Sequence, residues 1–192
     1  MAGSGRRCST AESRAALREN RASLTDPAPV MDAAATFLGV RPRSVAETRR
    51  RLRYLGYPDA LVETVVERLI EMEYLDDAAF ATAWVESRDR ARPRGEMALR
   101  RELALKGVPR DLIDDVIIAR IDAATDEDPN RAAAIALLER KRSMLERVPD
   151  PSLRRQKAYS LLARNGFDPE TCRDVSTSFA RVDLDMDHAL EP

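Results

Sequence analysis

The sequence is short of the groups on which most enzyme chemistry depends. Its one histidine is His188, near the end of the chain, so a serine or cysteine nucleophile with a histidine base is hard to assemble. Its two cysteines, Cys8 and Cys172, lack the paired spacing of a zinc site or a disulfide framework, and a reducing cytoplasm is the expected home. There is no G-x-x-x-x-G-K-[ST] loop and no strand-linked G-x-G-x-x-G; the "GSG" at 3–5 lies in an expected tail. Apolar runs never approach the ~20 residues needed to span a membrane, and "MAGSGRRCSTAES" lacks the apolar centre of a signal peptide. Lysine is scarce as well: Lys106, Lys141 and Lys157 leave arginine to carry nearly all the positive charge. The planar fork of arginine suits phosphates and carboxylates. These absences predict a protein that is not an enzyme, with no cofactor, no metal and no membrane association.

A repeat is present instead. "LRYLGYPDALVETVV", "LALKGVPRDLIDDVI" and "LLARNGFDPETCRDV" superpose on Gly56, Gly107 and Gly166 without a gap. A leucine stands four residues before each glycine (Leu52, Leu103, Leu162), and an apolar residue follows it (Tyr57, Val108, Phe167). Such spacing predicts a helix closed by a Schellman turn, with glycine at the left-handed position and the following apolar residue packed back on the leucine. Apolar positions then resume at Val62, Ile113 and Cys172, and at Val65, Val116 and Val175, one helical turn apart. Each copy therefore reads as helix, glycine turn, helix.

The remaining punctuation fills in the map. Ser44 and Glu47 have capping-box spacing. Asp128-Pro129, Asp150-Pro151 and Asp168-Pro169 each read as an N-cap followed by proline at the first helical position. Asp76 or Asp77 opens the middle third, where Phe80 and Trp84 share a face that is expected to be core rather than a stacking platform for bases. Tyr57 is expected to pack on Leu52 and Tyr54 to stand partly exposed among arginines. The expectation is an all-α chain of three tandem three-helix repeats, at 30–74, 75–124 and 125–183, forming an elongated, curved array of nine helices. A flexible tail is expected at 1–29, with a marginal helix through "TAESRAALREN", and a second tail at 184–192.

The net charge of -1 conceals a division. Basic residues gather ahead of each glycine, in "RPRSVAETRRRLR", "RPRGEMALRRELALK" and "LERKRSMLER", and acidic residues follow it. Two readings stand: separate basic and acidic stripes offered to a partner, or faces that neutralise each other.

The middle of the chain, "YLDDAAFATAWVESRDR" followed by "RGEMALRRELALKGV", resembles the RecX family through Asp76, Asp77, Phe80, Ala81, Trp84, Leu103, Lys106 and Gly107. The first third is similar through Arg43, Ser44, Glu47, Leu52, Gly56 and Tyr57, with Thr48 where an apolar residue is usual and Leu55 where lysine is frequent. The resemblance covers Val30 to Ile121 well and the rest only by repeat grammar. It implies a monomer that binds the RecA recombinase filament on single-stranded DNA, with duplex DNA as an open second partner, and restrains ATP hydrolysis and strand exchange. The basic helices of the first two repeats are the expected contact surface, chiefly Arg49, Arg50, Arg53, Arg88, Arg94, Arg100, Arg101 and Lys106.

Two other classes compete. One is a helix-turn-helix regulator of duplex DNA, against which Glu63, Glu67, Glu71 and Glu73 stand, since phosphates would repel a recognition helix that carries them. The other is a helical adaptor whose basic stripe meets an acidic protein.

Overall fold

The computed structural model describes residues 15–124 and 128–188, with side chains to residue 180. Among the described residues every regular element is helical. The elements are α1 (Ala28–Leu38), α2 (Val45–Tyr54), α3 (Asp59–Glu71), α4 (Asp77–Ala91), α5 (Glu96–Leu105), α6 (Arg110–Asp122), α7 (Pro129–Glu139), α8 (Arg142–Glu146), α9 (Pro151–Arg164) and α10 (Pro169–His188), preceded by a helical stretch at 15–22. The chain divides into two compact units, the first ending at Phe80 but also holding Lys106–Val108, the second comprising Ala81–Leu105 and the chain from Pro109 onward.

In the first unit Val30 and Ala34 of α1, Leu52 of α2, and Val62, Val65, Val66 and Leu69 of α3 close on Tyr57 and Leu75. Thr48, in a position that reads as apolar, is fully buried, and its hydroxyl donates to the Ser44 carbonyl at 3.1 Å, so nothing polar is left unpaired there. In the second unit Leu137 and Leu138 of α7, Leu145 of α8, Ala158 and Leu162 of α9, and Cys172, Val175 and Phe179 of α10 form one cluster around Phe167. Burial pushes the Cys172 thiol up, with the Asp168 charge adding to it, and keeps it neutral and unreactive. Cys8 lies outside the described residues. At the position shared with Val65 and Val175, Val116 is only half-buried, and Ile117 beside it fills the core.

The helix boundaries follow local chemistry. Ser44 Oγ accepts from Glu47 N at 3.1 Å while Glu47 Oε2 accepts from Ser44 N at 3.4 Å, closing the capping box. Asp128 and Asp150 each accept from the backbone N–H two residues on, at 2.9 Å. Asp168 accepts from Thr171 N at 2.9 Å. Asp76 caps α4 through the N–H groups of Ala78 and Ala79.

Three expectations are corrected. The marginal helix expected through "TAESRAALREN" is present over 15–22, and it is anchored rather than a loose tail: Arg18 Nε and Nη2 donate to the Tyr54 carbonyl at 3.1 and 2.8 Å, and Arg21 Nη1 to that of Leu55 at 3.2 Å. Cations at the negative end of α2 hold a segment too short to stay helical alone. The last helix runs to His188, past the expected boundary at 184, because no glycine or proline interrupts the chain between Pro169 and that point. The third repeat holds four helices rather than three, since α8 is a separate short helix that buries Leu145.

The three glycines take positive φ, at 93° for Gly56, 79° for Gly107 and 82° for Gly166. Tyr57 N donates to Leu52 O and Phe167 N to Leu162 O, both at 3.4 Å, and Gly56 N and Gly166 N reach Arg53 O and Ala163 O at 2.9 and 3.1 Å. The turns at Gly56 and Gly166 are thus Schellman turns, and Gly107 shares their left-handed backbone. A fourth turn, after α3, has the same bonds, from Glu73 N to Ile70 O and from Tyr74 N to Leu69 O at 2.9 Å, but it places Glu73 at φ 59°. Left-handed backbone costs an L-residue about 1–2 kcal/mol, part of which glycine returns as unfolded-state entropy. Glu73→Gly is therefore expected to stabilise the protein by about 0.5–1 kcal/mol, read as a raised thermal midpoint. An unchanged or lowered midpoint would contradict this.

Candidate functional site

Two of the three glycine turns, at Gly107 and Gly166, dock on the starts of other helices. A Cβ on Gly107 would lie 2.3 Å from the Ala46 Cβ in the first turn of α2, and one on Gly166 would lie 2.4 Å from the Ala98 Cβ in the first turn of α5. The residue before each glycine presents its carbonyl to the N-cap position of the helix it meets. Ser44 Oγ donates to Lys106 O at 2.6 Å, and Gly95 N donates to Asn165 O at 3.0 Å. Lys106 Nζ adds an ion pair to Glu47 at 2.7 Å. Burial alone would raise the Glu47 carboxyl, but the Lys106 ammonium, the Ser44 N–H and the Arg41 charge together carry it below the ordinary carboxylate range. The start of α2 is also met by Asp77, whose Oδ1 accepts from Val45 N at 2.9 Å.

This packing fixes where the basic helices point their arginines. Arg49 Nε meets Glu63 at 2.9 Å, and Arg53 meets Asp59 and Glu63 at 2.9 and 3.0 Å. In the next repeat Arg100 meets Glu96 at 2.7 Å and also Asp114, and these partners raise its already high pKa. Arg88 meets Glu102 at 2.6 Å, and Arg94 meets Glu102 at 3.5 Å and the Asn165 side chain. With Lys106 held by Glu47, the basic helices are largely neutralised by carboxylates rather than offered as a continuous stripe. Two of the eight expected residues differ: Arg50 and Arg101 are exposed, and no described carboxylate lies within ion-pair reach of either. They occupy one register, six residues before Gly56 and before Gly107.

Arg101 lies on a cleft of about 420 Å³ with Arg94 and Arg164, where Met97 and Leu105 stand 62% and 68% exposed. Apolar and cationic groups thus lie side by side at α5. Phe80 is core, as its spacing suggests, but Trp84 is half-buried: Nε1 donates to Glu102 at 3.0 Å and the Arg88 guanidinium covers the ring at 4.3 Å. Tyr57 is buried and Tyr54 is 63% exposed. The expected contact residues did not include Arg18, Arg43 and Arg51, which stand around Tyr54 and Phe37, or Arg21, which lies over the Tyr57 ring at 5.2 Å. The visible signal was a run of three arginines, Arg49 to Arg51, which cannot all face α3.

Among the described residues no group of three potential ligands could hold a metal ion, and no helix is long and apolar enough to cross a membrane.

This arrangement of helices and turns has known counterparts. The sequence profile of the RecX first three-helix domain matches residues 31–69, and that of the RecX second three-helix domain matches residues 76–117. The regulatory protein RecX of Prosthecochloris aestuarii is 34% identical over 151 residues, which cover 79% of this chain and 93% of that protein. The chain belongs to the RecX family. The regulatory protein RecX of Mycobacterium sp. strain JLS is 34% identical over 142 residues, covering 73% of this chain and 76% of the relative. In structure, the chain resembles RecX from Lactobacillus salivarius with a TM-score of 0.67 at 17% identity, over 80% of this chain and 96% of that one. RecX relatives carry the name of regulatory proteins, and the helical-repeat fold is theirs.

Proposed function

We propose that this chain binds the RecA filament on DNA and restrains its ATPase and strand exchange, acting by occupancy and with no chemistry of its own. One observation carries the site: of the cations expected to make the contact, Arg50 and Arg101 recur in one register and alone are both exposed and without a carboxylate partner among the described residues. Arginines of this kind can meet a filament's phosphates or carboxylates without first breaking an internal pair. Arg49, Arg53, Arg88, Arg94, Arg100 and Lys106 shape and neutralise the surface around them. Arg101, with exposed Met97 and Leu105 beside it, suits a partner that is part protein.

The test separates the two classes of arginine. Arg50→Ala with Arg101→Ala is expected to keep its circular dichroism and to weaken inhibition of RecA's DNA-dependent ATPase by about 10- to 100-fold, as befits two lost charge-assisted bonds of about 1 kcal/mol or more each. Where phosphates are the partners, each removed charge flattens the salt dependence by about one unit. Arg49→Ala with Arg100→Ala is expected to lower stability more than inhibition. A folded Arg50/Arg101 double variant that inhibits like the parent would defeat the site assignment. Tight duplex binding without RecA would favour the helix-turn-helix alternative, although Glu63, Glu67 and Glu71 lie on α3, which would be its recognition helix.

A further inference from the structure

The arginines around Tyr54 form a cluster of charge without carboxylate partners among the described residues. Arg18, Arg21 and Arg51 line a cleft of about 660 Å³ with Leu17, Tyr54 and Leu55, and no carboxylate lines it. The Arg18 guanidinium lies 4.8 Å from the centroid of the Tyr54 ring, and Arg51 lies 6.0 Å from that ring and 5.8 Å from Phe37. Arg43 continues the row, 4.2 Å over Phe37, with its buried Nε lacking a hydrogen-bond partner. None of the four is ion-paired with a described carboxylate, in contrast to Arg49 and Arg53 on the same helix. Burial, then repulsion from Arg41, lowers the Arg43 pKa; Glu47 opposes this and Arg51 adds to it, so an anion arriving here relieves a repulsion that Glu47 offsets only in part. Residues 15–22 lie outside the family's matched domains, which begin at residue 31, so half of this cleft is built by chain that the family profiles do not cover.

We propose that the cleft between residues 15–22 and α2 binds a single-stranded polynucleotide, with Arg18, Arg21 and Arg51 meeting successive phosphates and Tyr54 stacking a base. Arg18 and Arg21 spend only part of their donor set on the Tyr54 and Leu55 carbonyls. A flat, exposed ring among guanidinium planes suits unstacked bases, which duplex DNA does not offer. An acidic peptide would use the charge but leave the ring idle. The proposal goes beyond the filament reading, because it gives the chain a strand contact that needs no recombinase.

The experiment is anisotropy of labelled oligothymidylate titrated with the full chain in the absence of RecA, across a salt series. Arg51→Ala and Tyr54→Ala are each expected to weaken the dissociation constant about five-fold or more, and Arg51→Ala also to flatten the salt slope by about one unit. Tyr54→Phe, which keeps the ring, is expected to retain parental affinity. The bonds that hold residues 15–22 to α2 come from the Arg18 and Arg21 side chains and not from that of Arg51, so its variant tests the site without unseating that stretch. Unchanged affinity in folded Arg51→Ala and Tyr54→Ala overturns the proposal. Displacement of the strand by polyglutamate as readily as by unlabelled oligonucleotide of equal charge also overturns it, in favour of an acidic peptide. These readings stand or fall without reference to ATPase inhibition, so failure here and failure of the filament reading are told apart.

Discussion

Gly107→Val is expected to destabilise the protein by about 2–5 kcal/mol, well over the 1 kcal/mol or so that a turn glycine alone would suggest. Two costs coincide at this position. The φ of 79° is left-handed and disfavours any L side chain by about 1–2 kcal/mol, more so a β-branched one. In addition, the first carbon of the side chain would stand 2.3 Å from the Ala46 Cβ, inside any tolerable contact, and forced overpacking costs about 1–3 kcal/mol. Gly39→Ala is the control: φ there is -62° and the nearest atom to an added Cβ is the Ala35 carbonyl at 3.3 Å, so only a small change in midpoint is expected. Urea melts of the two variants decide the matter. A Gly107→Val midpoint within error of the parent would show that the turn can retreat from α2 at no cost.

Arg120→Ala is the second substitution expected to act strongly. Arg120 is 8% exposed, and its fork meets both oxygens of Asp89 at 2.8 and 2.9 Å while one nitrogen also donates to Pro129 O at 3.1 Å. One side chain thus ties α4, α6 and the start of α7. Truncation leaves a cavity and a carboxylate without its partner, and removes the tie to the Pro129 carbonyl. Breaking a fully buried pair costs about 3–5 kcal/mol, but Asp89 is a third exposed and recovers water, so about 2–3 kcal/mol is expected from equilibrium denaturation. Arg120→Lys keeps the charge and loses the bidentate fork, and should fall between. Loss of less than ~0.5 kcal/mol in the alanine variant would mean that the three elements are held by packing alone.

The fold was legible because its signals are local. Leucine, glycine and the apolar residue after it lie within six residues, and the three Asp-Pro pairs announce three helix starts by themselves. The arginines were not legible to the same degree, because their fate is settled by a helix further on. Arg49 meets Glu63, Arg88 meets Glu102 and Arg100 meets Asp114, each fourteen residues ahead across a helix pair. Arg49 and Arg100 are equivalent in the repeat, as are Glu63 and Asp114, so the pair is duplicated along with the glycine. Counting fourteen residues forward from Arg50 and Arg51 gives Thr64 and Val65, which cannot neutralise them. From Arg101 it gives Asp115, which does not pair, so the rule sorts most of the arginines but not all. The Tyr54 cleft was hidden for a different reason: a short, arginine-bearing helix looks like a tail until the carbonyls it binds are seen.

Ala46 and Ala98 look like the least informative residues of their helices, yet each is the floor on which a distant glycine rests. Their smallness is imposed from elsewhere in the chain, and a larger residue at either one is as disruptive as a side chain on the glycine above it. Each pair is thus a single steric unit in which the glycine has nothing left to give, so size at the alanine is capped by a residue far along the chain.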